Sequence, residues 1–111
     1  MTILSNIFIM LIYIITSVTG LVYLKLSAGT LISAKGIAGI FFYGLGFLIW
    51  YVIVTRIALS IAFPIAAGGL VVATQIAGYF ILKENLSATH LIGVALIIAG
   101  ISFVATGETH I

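Results

Sequence analysis

Long apolar stretches alternate along this chain with short polar interruptions, and the interruptions divide it. Polar residues cluster at Lys25, Ser27, Thr30, Ser33 and Lys35, at Thr55 and Arg56, and at Lys83, Glu84, Asn85 and Ser87. No residue between these clusters carries a charge. A bilayer core of about 30 Å takes roughly 20 helical residues at about 1.5 Å each, and every apolar stretch reaches that length. Four membrane helices are therefore expected, at about 3–24, 36–55, 59–82 and 87–106, in a single membrane domain over 1–111.

Local signals agree with these bounds. Ser87 is placed to cap the fourth helix by accepting from a backbone N–H two or three residues on. Pro64 falls within the first turns of the third helix, where a missing N–H costs little. Trp50 and Tyr51 close the second helix, where amphipathic rings favour the headgroup level. The first span lacks a basic flank and is longer than the apolar core of a signal peptide, so it is expected to stay as a helix.

Composition sharpens this into a class. The 111 residues are 64% hydrophobic and only 5% charged, where a soluble domain carries about 25% charged residues. The net charge of +2 comes from loop residues, which meet lipid phosphates and set topology and imply no nucleic-acid partner. Lys25, Lys35 and Lys83 lie on one side and Arg56 on the other, which places the first and third loops in the cytoplasm and both termini outside. With no cysteine, disulfides and thiolate metal sites are excluded. No span holds a carboxylate, cysteine or histidine set for acid–base or metal chemistry, so neither an enzyme nor a cofactor or metal site is expected.

Candidate functional positions follow from helical spacing. Tyr13, Ser17, Gly20 and Leu24 share one face of the first helix and are candidates for the wall of a substrate path. The competing reading is that such hydroxyls bond within their own helix or to a neighbour. On the third helix Gly68, Val72, Gln75 and Tyr79 recur on one face; Gln75 is the most polar side chain well inside a span and either meets substrate or staples two helices. Gly93 and Gly100 lie seven residues apart on one face and, with Ala99, let another backbone approach closely. A bundle this small encloses only a narrow core, so two copies, or one copy and a relative, are expected to build the cavity.

From Leu82 onward the chain resembles the closing segment of the drug/metabolite transporter superfamily, in the positions Leu82, Glu84, Leu86, Gly93, Leu96, Ile97 and Gly100. Its size and helix number resemble the four-helix, small multidrug resistance-like branch. The likeness extends back through Ile61-Ala62-Phe63-Pro64 and through Ser17-Val18, Gly20 and Lys25. It implies an all-α integral membrane protein of the bacterial inner (plasma) membrane, dimeric through Gly93 and Gly100. A dual-topology antiparallel dimer stays open.

One departure from that branch decides which subgroup is implied. Its multidrug and guanidinium exporters carry a glutamate eight residues before the lysine that ends the first helix; counting back from Lys25, this chain has Ser17. A serine hydroxyl does not titrate in the physiological range, so proton exchange has no group to run on. The aromatic pair of those exporters' third helix is represented here by Phe63 and Ala66. The aminoarabinose-phosphoundecaprenol flippase subunits are more similar, with serine at the Ser17 position and an Ala-aromatic-Pro run like Ala62-Phe63-Pro64. That resemblance implies passage of a polyprenyl-phosphate-linked sugar between leaflets by a homodimer, or by a heterodimer with a paralogous four-helix subunit. Tyr13, Ser17, Gly20, Phe63, Gln75 and Tyr79 are then candidates for the path, and Lys25, Arg56 and Lys83 for the lipid phosphate, against simple interfacial snorkelling. Two alternatives stay open: an exporter of small or cationic compounds, and a non-transporting membrane scaffold subunit.

Overall fold

The computed structural model describes residues 3–106. Glu108 and His110 lie outside them. The described chain is all helical: α1 (Ile3–Leu26), α2 (Ala34–Arg56), α3 (Leu59–Phe80) and α4 (Ala88–Thr106). The first three are long and apolar enough to cross a membrane, and α4 is apolar over Ala88–Val104. This is the make-up of a multi-pass membrane protein. It divides into two compact units, Met1–Arg56 and Ile57–Ile111, each built on one helical hairpin.

In the first hairpin, residues that fill one helix oppose residues that leave room on the other. The Cβ of an alanine at Gly39 would lie 2.8 Å from the Leu24 backbone nitrogen, and one at Gly46 would lie 2.5 Å from Ser17 Oγ. Leu24 opposite Gly39 and Ser17 opposite Gly46 set an antiparallel register, and one heptad further it brings Met10 level with Ile53. Met10, Ser17, Gly39, Gly46 and Ile53 are all buried. A seven-residue repeat of this kind keeps one seam turned toward the partner helix along its whole length. Gly20 comes closest to the other helix's main chain: an added Cβ would sit 2.6 Å from the Tyr43 backbone nitrogen and 3.0 Å from the Gly39 carbonyl oxygen.

The turn between α1 and α2 is held by its own small side chains. Ser27 Oγ donates to the Leu24 carbonyl at 2.7 Å, closing α1. Ser33 Oγ accepts from the Gly36 backbone N–H at 3.1 Å, the geometry of an N-cap on α2. Ala28 and Gly29 between them have positive φ, of 53° and 85°.

The second hairpin is packed more lightly. Ala62, Ala66, Ala77 and Gly78 are the buried residues of α3, and none of the described residues of α4 is buried. Gly68 makes room for Ile101, whose Cγ2 would lie 3.0 Å from an added Cβ. α3 ends at Phe80 in a wrap-around turn: the Ile81 and Leu82 N–H groups both donate to the Ala77 carbonyl and the Glu84 N–H donates to Gly78, while Lys83 takes φ +58°. That is the left-handed position where helices favour glycine. Replacing Lys83 by glycine is therefore expected to stabilise the hairpin by up to about 1 kcal/mol, read as a rise in the thermal midpoint of the purified protein. A fall would show that the lysine stem holds the turn by its contacts.

Candidate functional site

Between α1 and α2 lies a cavity of about 300 Å³, lined by Tyr13, Ser17, Tyr43, Phe47 and Trp50. The helix period explains the lining. Tyr13 and Ser17 are one turn apart on α1, while Tyr43, Phe47 and Trp50 recur at four and three residues along one face of α2. The seam supplies the geometry: Gly46 lets α2 approach Ser17 closely, and the larger rings on either side of that contact stand around a hollow. Tyr13 and Trp50 flank one wall, with ring centroids 5.3 Å apart and planes inclined by 34°. Ser17 is 2% exposed, and Tyr13 and Ser17 share a side-chain hydrogen bond. The lining therefore offers aromatic faces and hydroxyl groups and no formal charge.

The basic residues of this hairpin stand at its ends. Lys25 is in the last turn of α1, with Lys35 across the loop in the first turn of α2. Arg56 closes α2 at the opposite end, where its guanidinium donates to Ser5 Oγ at 3.4 Å. From Ser17 to Lys25 is eight residues, roughly 12 Å along the helix. A cation thus stands at each end of the hairpin that holds the cavity.

The remaining candidates are not among the residues that line this cavity. Gly20 is buried against the α2 backbone and lines no part of this cavity, so its part is to let the helices approach. Phe63 and Tyr79 lie on α3, 61% and 54% exposed, and Tyr79 meets the edge of Phe80 at 5.0 Å. Gln75 Oε1 lies 2.7 Å from His90 Nε2, which joins α3 to the start of α4. The face shared by Gly68 and Gln75 is thus largely the contact with α4. His90 also donates its backbone N–H to Ser87 Oγ at 3.1 Å, so the expected cap is present and orients the ring's helix turn. A double-mutant cycle on Gln75→Ala and His90→Ala is expected to give a coupling of about 0.5–1 kcal/mol in thermal unfolding. Additive effects would remove the pair as a link between the helices.

Along the expected seam on α4, an added Cβ at Gly93 or Gly100 would meet nothing within 4 Å, and Leu96 and Ile97 are 69% and 49% exposed. Within one chain the two glycines are not points of close approach between α4 and α3.

From the sequence, Trp50 belongs at the headgroup level and Tyr43 and Phe47 have no part in a site, whereas in the structure all three form the α2 wall of the cavity. Their shared helix face was the available signal. It is a common pattern in lipid-facing helices, and only the α1 register turns it into a wall.

Comparison with known proteins places the chain among small membrane proteins. It is 36% identical over 62 residues to the probable 4-amino-4-deoxy-L-arabinose-phosphoundecaprenol flippase subunit ArnE of Pseudomonas fluorescens, covering 56% of this chain and 54% of that protein. The chain thus spans about half the length of that flippase subunit. It is 32% identical over 80 residues to the uncharacterized protein y4nH of Sinorhizobium fredii, covering 72% of this chain and 68% of that one. It is 31% identical over 88 residues to the uncharacterized membrane protein YvaE of Bacillus subtilis, covering 79% and 74%. No family model and no solved structure matches.

Proposed function

The chain belongs to the same family as YvaE and y4nH, and from that premise we propose that it is a small multidrug resistance-like member of the drug/metabolite transporter superfamily that acts as a flippase or flippase subunit for a polyprenyl-phosphate-linked sugar or similar amphiphile. The observation that carries this reading is the uncharged, hydroxyl- and aromatic-lined cavity around Ser17. A sugar needs hydroxyl partners and apolar faces, and this cavity supplies both without an ion. A prenyl tail is as apolar as the bilayer, so it stays in lipid while only the head group crosses. The basic residues at the two ends of the hairpin, Lys25 and Arg56, suit a lipid phosphate arriving at one surface and leaving at the other.

Partnering follows from α4. A seam of glycines with Leu96 and Ile97 open around them suits a second copy or a paralogous four-helix subunit, because small residues let backbones approach in lipid. The relative named above is itself described as a subunit.

The test is leaflet crossing. Vesicles containing the purified chain, alone and with a paralogous subunit, are given a short-chain prenyl-phosphate monosaccharide on one side. Crossing several times faster than in empty vesicles is expected, and Lys25→Ala is expected to slow it severalfold. No acceleration in either preparation would exclude the flippase reading; an unchanged rate in Lys25→Ala would remove that lysine from the phosphate path.

A further inference from the structure

We propose that the loop between α1 and α2 is a docking site for an anionic phospholipid of the adjacent leaflet, with Leu31 and Ile32 entering the acyl boundary and Lys25 and Lys35 on either side of the headgroup phosphate. Apolar exposure within the spans is contact with lipid, but this loop lies beyond them. Ile32 is nonetheless 89% exposed, more than any other large apolar side chain among the described residues, and Leu31 beside it is exposed as well. Ile32 precedes the Ser33 cap, where such a residue ordinarily folds down on the fourth residue of the helix as a hydrophobic staple. That residue, Ile37, is itself 57% exposed, so the staple does not hide the tip.

The loop holds this pair out in a fixed shape. The Thr30 N–H donates to the Ser27 carbonyl at 3.0 Å, Ser33 Oγ donates to the Thr30 carbonyl at 2.7 Å, and the Ile37 N–H donates to the Ser33 carbonyl at 2.8 Å. The Leu31 main chain is drawn against the start of α2, where a Cβ on Gly36 would run into the Leu31 carbonyl. A loop bonded in this way has little freedom to fold its apolar tip inward. Something outside it has to cover the tip.

The surroundings identify the cover as lipid. Only seven residues separate α1 from α2, so the tip stands close to the ends of two membrane helices, at the headgroup level. On the helices just below, Tyr23 stacks on Phe42 with ring centroids 6.1 Å apart and planes 11° from parallel, and rings of this kind favour the membrane interface. Lys25 and Lys35 are both exposed, one in the last turn of α1 and one in the first turn of α2. Exposed lysines beside a span are drawn to anionic headgroups, and their long stems let the ammonium groups stay at the phosphate while an apolar tip inserts. Two aliphatic side chains are far smaller than the patch a stable protein partner covers. The lipid is a resident of the leaflet and not the cargo, so the inference stands apart from the flippase reading.

The chain has no cysteine, so Thr30→Cys offers one attachment point for a polarity-sensitive fluorophore beside the tip. The hydrogen bonds of Thr30 in the loop are main-chain ones, which the substitution keeps. The labelled protein is placed in lipid discs of phosphatidylcholine with and without phosphatidylglycerol. A blue shift of emission that grows with the phosphatidylglycerol fraction and is reversed by high salt is expected. Lys35→Gln is expected to raise roughly fivefold the fraction needed for half the shift, and Ile32→Ser to abolish it. Equal emission in the two lipids, or a shift that Lys35→Gln leaves unchanged, overturns the site. So does a label that stays in water in both, as it would if a soluble protein covered the tip. A shift produced only by an added prenyl-phosphate sugar would assign the loop to the cargo and overturn a resident-lipid site. The unaltered chain gives a further reading: spin-labelled phosphatidylglycerol is expected to be enriched around it at least about twofold over spin-labelled phosphatidylcholine. Equal partition of the two would overturn the proposal whatever the variants do.

Discussion

Replacing Gly20 by alanine is expected to force α1 and α2 apart and to cost about 1–3 kcal/mol of stability. The added methyl would lie 2.6 Å from the Tyr43 backbone nitrogen and 3.0 Å from both the Tyr43 Cα and the Gly39 carbonyl oxygen. All three are main-chain atoms, so no side chain can rotate aside and the helix itself has to move. Tyr43 also lines the cavity, so the same displacement widens the site. Gly44→Ala provides the control, because an added Cβ there meets nothing within 4 Å. Thermal unfolding of the two variants beside the parent should show Gly20→Ala well below and Gly44→Ala level. Equal midpoints would show that the close approach of α1 to α2 contributes little.

The second large effect concerns position 17. Restoring a glutamate there is expected to damage the hairpin without creating proton-coupled export. Ser17 is nearly fully buried, and its Oγ already occupies the space a Cβ on Gly46 would need. A longer side chain ending in a carboxylate meets the α2 backbone, and an acid at the centre of a membrane helix costs about 3 kcal/mol or more. Ser17→Glu should therefore give a reduced yield of folded protein and no dye export under a pH difference. Normal yield together with pH-driven export would show that the site opens readily and that only one residue separates this chain from the exporters.

Much of the architecture was legible in the sequence because lipid is an unforgiving solvent. Lys25, Lys35, Arg56 and Lys83 cannot sit in the hydrocarbon without cost, so their spacing marked out the helices. Short-range chemistry was legible as well, as with Ser87 capping α4. The site was only partly so. Tyr13 and Ser17 stood out as hydroxyls in an apolar span, and both line the cavity. Trp50 did not, because a ring near a helix end satisfies the headgroup region as well as it lines a hollow. Gln75 reads in the sequence as a helix staple ahead of a substrate contact, but its partner His90, fifteen residues away and across a turn, is visible only in the structure. Glycine posed the same difficulty: Gly39 and Gly46 pack within the chain while Gly93 and Gly100 are left open, and both pairs are spaced by seven. Helical spacing reveals a face; it does not say what covers it.

The account turns on movement of an amphiphile that needs no exchange of protons. The most direct measurement compares, in the same vesicles with and without an imposed pH difference, leaflet crossing of a short-chain prenyl-phosphate monosaccharide and release of an ethidium-like dye. Crossing of the lipid-linked sugar whether or not the pH difference is present, with the dye retained, is the predicted result. Expulsion of the dye driven by the pH difference, with the sugar lipid left in its original leaflet, would contradict it.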